Sequence, residues 1–187
     1  MKNNNSNINL LFSTPVWTYL IPNHVEINTS MHKYIKSLQK KNPDGKHKSN
    51  IKGWHSENFD LNDDKIQYFI KSISNNINST LNDMAWDLNK NKIKISSMWS
   101  IINYKDSSNS RHIHSNNFIS AAYYVKAPKD CGKIIFYDPR SAATIRTPVI
   151  SSNNELNSSI FSVEPKEGLL VLFPSYLHHS VERNNSD

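Results

Sequence analysis

From Lys94 onward the chain offers short runs of β-branched and aromatic residues with no helical stretch between them. They are KISSMWSIINY (94–104), FISAAYYVK (118–126), KIIFY (133–137), IFSV (160–163) and GLLVLF (168–173). A parallel pair needs a long crossover, whereas antiparallel strands need only a turn, so the pattern predicts antiparallel pairing. A set of such strands removes its open edges by closing up, and the natural closed solution is a double-stranded β-helix, or jelly roll. The part before Lys94 has another character. FSTPVWTYLI (12–21) reads as a strand, with Pro15 near its start as an edge strand tolerates. Val25, Ile27, Met31, Tyr34, Ile35 and Leu38 keep helical spacing over about 25–39, and NPDG (42–45) follows as a turn. A second helix is predicted after Asn62. Ile66, Phe69, Ile70, Ile73, Ile77, Leu81, Met84, Ala85 and Leu88 step by three or four, and Asp63 and Asp64 stand where they cap the positive helix end. That stripe is a core face. The expected class is therefore α+β in one domain over 1–187: an edge strand and supporting helices over about 10–93, and a jelly-roll core over 94–187.

A chain of 187 residues is long enough for one sizeable core. Its formal charge of +6 hints at an anionic partner such as nucleic acid. The hint is weak, because the lysines are spread out except in KKNPDGKHKSNIKG (40–53), which reads as a solvated loop before it reads as an anion-binding patch. Cys131 is the only cysteine, so no intramolecular disulfide forms; beside Gly132 in an expected turn it reads as structural rather than nucleophilic. No signal-like segment or membrane-length apolar run is present, and the expectation is a cytoplasmic protein with no membrane partner. The absence of Gly-x-Ser-x-Gly argues against a serine hydrolase of the nucleophile-elbow kind.

The chemistry concentrates in two stretches. In RHIHSNNFISAAYYV (111–125), His112 and His114 are two apart, and on a strand such residues share a face. Alone the pair is weak evidence, since surface histidines are common. In EGLLVLFPSYLHHSVERN (167–184) a glycine turn and an apolar run lead through Pro174 to His179, which a strand–turn–strand path would bring onto the strand facing the first pair. His178 would then point the other way. Neutral imidazoles with open coordination positions suit Fe(II) and its neighbours.

With these motifs in view, the chain resembles the 2-oxoglutarate/Fe(II) oxygenases found in marine bacteria and their phages. LFSTPVW (11–17), GWHS (53–56), MWSIINY (98–104), HIHSNNFISAAYYV (112–125), FYDPR (136–140) and GLLVLFPSYLHHSV (168–181) carry the resemblance in order, over nearly the whole chain. It implies a jelly-roll core, one iron, and 2-oxoglutarate as a co-substrate used with O2 to hydroxylate an unidentified substrate. Carried over, His112 and His114 match the first ligand motif and His179 the distal histidine. Tyr104 and, less closely, Tyr124 match tyrosines that meet a 2-oxoglutarate carboxylate. Arg140 is a candidate anion partner, with a local pairing to Asp138 as its ordinary alternative. Two departures stand out. The family places a carboxylate two residues after its first histidine, where this chain has His114; either three histidines hold the metal, or two do and Asn116 or water completes the set. The family also places an Arg or Lys on the strand after the distal histidine. The sequence given ends at Asp187, before such a strand, and Arg183 stands too close to His179 to match, so either that strand is truncated or another group anchors the anion.

Two other functions fit the same residues. A cupin-type metalloprotein that does not use 2-oxoglutarate is favoured by three histidines and a missing basic anchor. A non-enzymatic jelly-roll binding module for a glycan, protein or nucleic acid fits the basic balance, but not the histidines at both expected barrel positions.

Overall fold

The computed structural model describes residues 7–145 and 148–186. Strand β1 (Trp17–Leu20) is followed by helix α1 (His24–Lys41), the short strands β2 (Asn50–Ile51) and β3 (Trp54–His55), and helix α2 (Asp64–Asp83). Then come β4 (Ile101–Ile102), β5 (Ser108–His112), β6 (Ile119–Tyr123), β7 (Ile134–Tyr137), β8 (Ile160–Val163), β9 (Leu169–Pro174) and β10 (His179–Val181). Among the described residues the strands form a three-stranded sheet in the order β1-β9-β6, a five-stranded sheet β2-β5-β10-β7-β8, and the β3-β4 ribbon. Every pairing is antiparallel. Non-consecutive neighbours in both larger sheets are what a double-stranded β-helix requires, and β1 lies at a sheet edge, where the sequence placed it.

The run GLLVLF explains how the layers hold together. Side chains alternate along β9, and both of its faces are covered. Leu170 and Leu172 face Ile66, Phe69 and Ile73 of α2 and Ile27 and Met31 of α1. Leu169, Val171 and Phe173 face the other way, into a second cluster with Ile134 and Phe136 of β7 and Val163 of β8. A strand buried on both sides reads as a continuous apolar run, and each such side chain contributes about 2 kcal/mol. Gly168 opens the strand at φ +79, and a Cβ there would stand 2.3 Å from Cγ of His24, so the turn into β9 needs glycine. Polar ties lock the helices on. The Trp17 indole donates to Asp83 (3.0 Å), and the Tyr123 hydroxyl donates to Asn28 of α1 (2.7 Å).

Helix α2 begins as predicted, with the Asp63 carboxylate accepting from the Lys65 amide at 2.8 Å. It ends earlier than the apolar stripe, at Asp83. Ala85 turns left-handed (φ 51), its amide donates to the Asn82 carbonyl at 2.8 Å and the Trp86 amide to the Leu81 carbonyl at 3.3 Å. This is the paired closure that usually has glycine at the left-handed position, and alanine there hides the helix end from the sequence. Ala85→Gly is expected to raise the unfolding free energy by about 1 kcal/mol, measured by denaturant titration; a loss of stability would contradict the assigned helix end.

KISSMWSIINY also departs from expectation, since only Ile101 and Ile102 are strand. The stretch before them is extended but irregular, and it serves as a backbone acceptor. The Phe59 amide donates to the Met98 carbonyl (2.7 Å) and the Ser56 amide to the Ser100 carbonyl (2.9 Å). The loop of clustered lysines sends Lys46 into an ion pair with Glu57, while β2 pairs with β5. No helix among the described residues is long and apolar enough to cross a membrane.

Candidate metal centre

Strand β5 delivers His112 as its last residue, and β10 delivers His179 as its first. The two stand directly opposite each other in the ladder, with Phe136 of β7 on the other side of His179. His114 lies just beyond β5 rather than on it. Its amide donates to the Ser175 carbonyl at 3.0 Å, which fastens it to the turn between β9 and β10. Ring centroids lie 4.2 Å apart for His112 and His179, 5.0 Å for His114 and His179, and 5.1 Å for His112 and His114. One nitrogen from each lies within 4.8 Å of the others. Bonds of about 2.1 Å at right angles would place ligand nitrogens roughly 3 Å apart, so small ring rotations close the set onto one ion.

The protonation pattern is set by the backbone. Nδ1 of His112 lies 2.7 Å from the Ser110 carbonyl, and Nδ1 of His179 lies 2.9 Å from the Leu177 carbonyl. A carbonyl only accepts, so each Nδ1 carries the proton and each Nε2 keeps its lone pair free. Burial holds the His179 imidazole at a pKa of about 4, helped by the neighbouring histidines against the opposing Leu177 bond, so the ring is neutral near pH 7. Burial also lowers His114, and His112 adds to the effect. Phe173 and Phe136 press on His179, with ring centroids at 4.7 and 6.2 Å. Three imidazole nitrogen donors in a partly apolar corner fit a divalent first-row metal with open positions for other ligands.

His178 is exposed and His179 buried, the opposed orientation expected for neighbours on a strand. Tyr124 faces the inter-sheet core that also holds Phe136 and Phe173. Burial pushes its phenol well above the usual range, so it remains a proton donor. Tyr104 is exposed, and its hydroxyl is bonded by the Gln39 side chain of α1. Arg140 forms a two-pronged pair with Asp138, at 3.0 and 2.8 Å, on the surface. Asn116 is exposed in the turn after His114, with a left-handed backbone (φ 60). The structure thus brings the three histidines together and turns Tyr124 toward the same interior, while Tyr104 and Arg140 direct their polar groups at Gln39 and Asp138.

Two residues quoted in the sequence motifs but given no role there also meet at this corner. The Trp99 ring lies 5.5 Å from His114, and His55 stacks on Trp99 at 5.8 Å with 12° between planes. Nothing in the local pattern of GWHS or MWSIINY signals this, because the contact depends on the β3-β4 pairing.

Comparison with known proteins bears on the family and the fold. Residues 97–187 match the family model described as "Putative 2OG-Fe(II) oxygenase". A prolyl-4-hydroxylase of Pseudomonas putida superposes with a TM-score of 0.62 at 10% identity, covering 93% of this chain and 88% of that one. A prolyl hydroxylase of Trichoplax adhaerens, solved with a hypoxia inducible factor oxygen degradation domain peptide fragment, gives 0.62 at 13% identity, covering 93% and 80%. Likeness at these identities establishes the fold. No curated protein matches by sequence, and neither neighbour bears on a marine or phage origin.

Proposed function

We propose that the chain is a 2-oxoglutarate-dependent dioxygenase whose iron is held by His112, His114 and His179, on the premise that residues 97–187 match the family model of the 2OG-Fe(II) oxygenases. The observation that carries this is the convergence of three imidazoles, two of them with Nε2 freed by a backbone bond at Nδ1. When bound, Fe(II) with 2-oxoglutarate and O2 supplies the oxidation that converts a substrate C–H to C–OH, while the oxo acid leaves as succinate and CO2.

The residues of this chain act around that group. The Ser110 and Leu177 carbonyls fix the tautomers of His112 and His179 and set their ring planes. Phe136 and Phe173 keep water from the buried side of His179. Three neutral ligands leave the full +2 charge of the ion uncompensated, which favours a doubly charged co-substrate beside it. Tyr124 is assigned as a donor to that co-substrate's carboxylate. Its phenol is neutral, faces the inter-sheet interior, and has no hydrogen-bond partner among the described residues. Phe118 and Tyr176 are exposed, and their backbones adjoin Ser175, whose carbonyl takes the His114 amide and whose amide donates to the Phe118 carbonyl. This rim suits a polypeptide substrate, the class held by the Trichoplax neighbour. The test is succinate formation from 2-oxoglutarate with Fe(II) and O2, with and without a peptide library. Expected is iron-dependent succinate production that a subset of peptides stimulates. Iron bound with no succinate formed would favour the cupin-type alternative.

A further inference from the structure

His112 and His179 are each oriented by a hydrogen bond to a carbonyl two residues earlier in the chain. Among the described residues, no side-chain hydrogen bond holds His114. An imidazole that must present one nitrogen to a metal still has to be stopped from turning about its two side-chain torsions, and packing against a fixed ring does this as a hydrogen bond does. Trp99 offers that surface, 5.5 Å from His114 between ring centres and tilted by 54°.

The Trp99 indole is itself fixed from behind. His55 is 7% exposed and stacks on it at 5.8 Å. Nδ1 of His55 donates to the Ser56 carbonyl at 2.6 Å, and burial lowers its pKa, so this ring too is held neutral in one orientation. The backbones under the two rings are clamped together. The Ser56 amide donates to the Ser100 carbonyl at 2.9 Å, and the Ser100 amide donates to the Ser56 hydroxyl at 2.9 Å. The β3-β4 pairing continues the clamp through His55 opposite Ile101. The motifs GWHS and MWSIINY therefore build a rigid ring pair that ends on His114.

We propose that Trp99, backed by His55, is the positioning residue for His114, the stack replacing the backbone hydrogen bond that the other two ligands have. The inference rests on the three-histidine reading above. It assigns to an otherwise separate two-stranded ribbon a definite task, orienting the one ligand that lies beyond the end of its strand.

The test uses Co(II) alone, without 2-oxoglutarate or substrate, and reads affinity and the visible ligand-field spectrum. Trp99→Leu is expected to weaken Co(II) binding by roughly 10-fold and to alter the spectrum, as loss of a supporting contact does. Trp99→Phe, which keeps a ring, restores most of both. In a His114→Ala background, Trp99→Leu has no further effect, because the residue through which it acts is gone. His55→Leu, which leaves the indole in place, shows the same dependence with a smaller loss and serves if Trp99→Leu does not fold. Equal losses with and without His114, or no loss in either, would overturn the proposal. Failure of the site itself has a separate signature: His112→Ala and His179→Ala would then leave Co(II) binding unchanged.

Discussion

His179→Ala is expected to abolish tight Fe(II) binding and to lower succinate formation by at least about 100-fold, the upper range for losing even a group that supports a ligand. Three features make this the most damaging single change at the site. The side chain sits at the centre of the cluster, within ring contact of both other histidines. It is 4% exposed, so water does not readily take its place without solvating an apolar corner. Its removal also opens a cavity against Phe136 and Phe173 and leaves the Leu177 carbonyl without its donor. The structural part of that loss is about 1–3 kcal/mol, visible as a lower denaturation midpoint but too small to unfold a typical domain. His178→Ala is the matched control. That neighbour is exposed and points away from the cluster, and the variant should bind iron and turn over as the parent does. Equal behaviour of the two variants, by iron titration and succinate yield, would remove His179 from the ligand set.

The second large effect concerns the position where related oxygenases carry a carboxylate. His114→Ala is expected to weaken Fe(II) binding by about 10- to 100-fold, and Asn116→Ala to leave it unchanged. The reason is positional. The His114 amide is fastened to the Ser175 carbonyl, which brings its ring to 5.0 Å from His179, whereas Asn116 lies exposed in the following turn. Isothermal titration of Fe(II) under anaerobic conditions distinguishes the cases. A strong loss in Asn116→Ala with none in His114→Ala would mean that the second ligand is the amide, and that His114 only stands beside it. Charge gives a further check. His114→Asp removes one unit of positive charge from the assembled centre, so it should retain iron but bind the dianionic co-substrate less tightly.

The parts of this arrangement that were legible in the sequence are those that depend on local pattern. The apolar run 168–173 announced a strand buried on both sides, and α1 and the start of α2 followed from spacing and the Asp63 cap. The two histidine motifs pointed at each other because β5 and β10 pair in register at His112 and His179. The parts that were not legible depend on contacts distant in sequence. Strand β5 is the polar run SNSRH, and its buried Asn109 is satisfied by the side chains of Asn103 and Ser49, a polar pairing that hydrophobic periodicity does not register. The end of α2 was masked by alanine in a left-handed site. His55 and Trp99 reached the metal corner only through a two-residue ribbon, too short to leave a pattern of its own.

The most direct measurement adds Fe(II) and then 2-oxoglutarate to the protein without oxygen and records the visible spectrum. A 2-oxo acid that chelates iron through its keto and carboxylate oxygens gives a metal-to-ligand charge-transfer band, which neither component gives alone. The expected result is such a band at one iron per chain, lost in His179→Ala and retained in His178→Ala. Iron bound at the histidines with no band on adding 2-oxoglutarate would contradict a 2-oxoglutarate oxygenase, whatever other chemistry the metal performed.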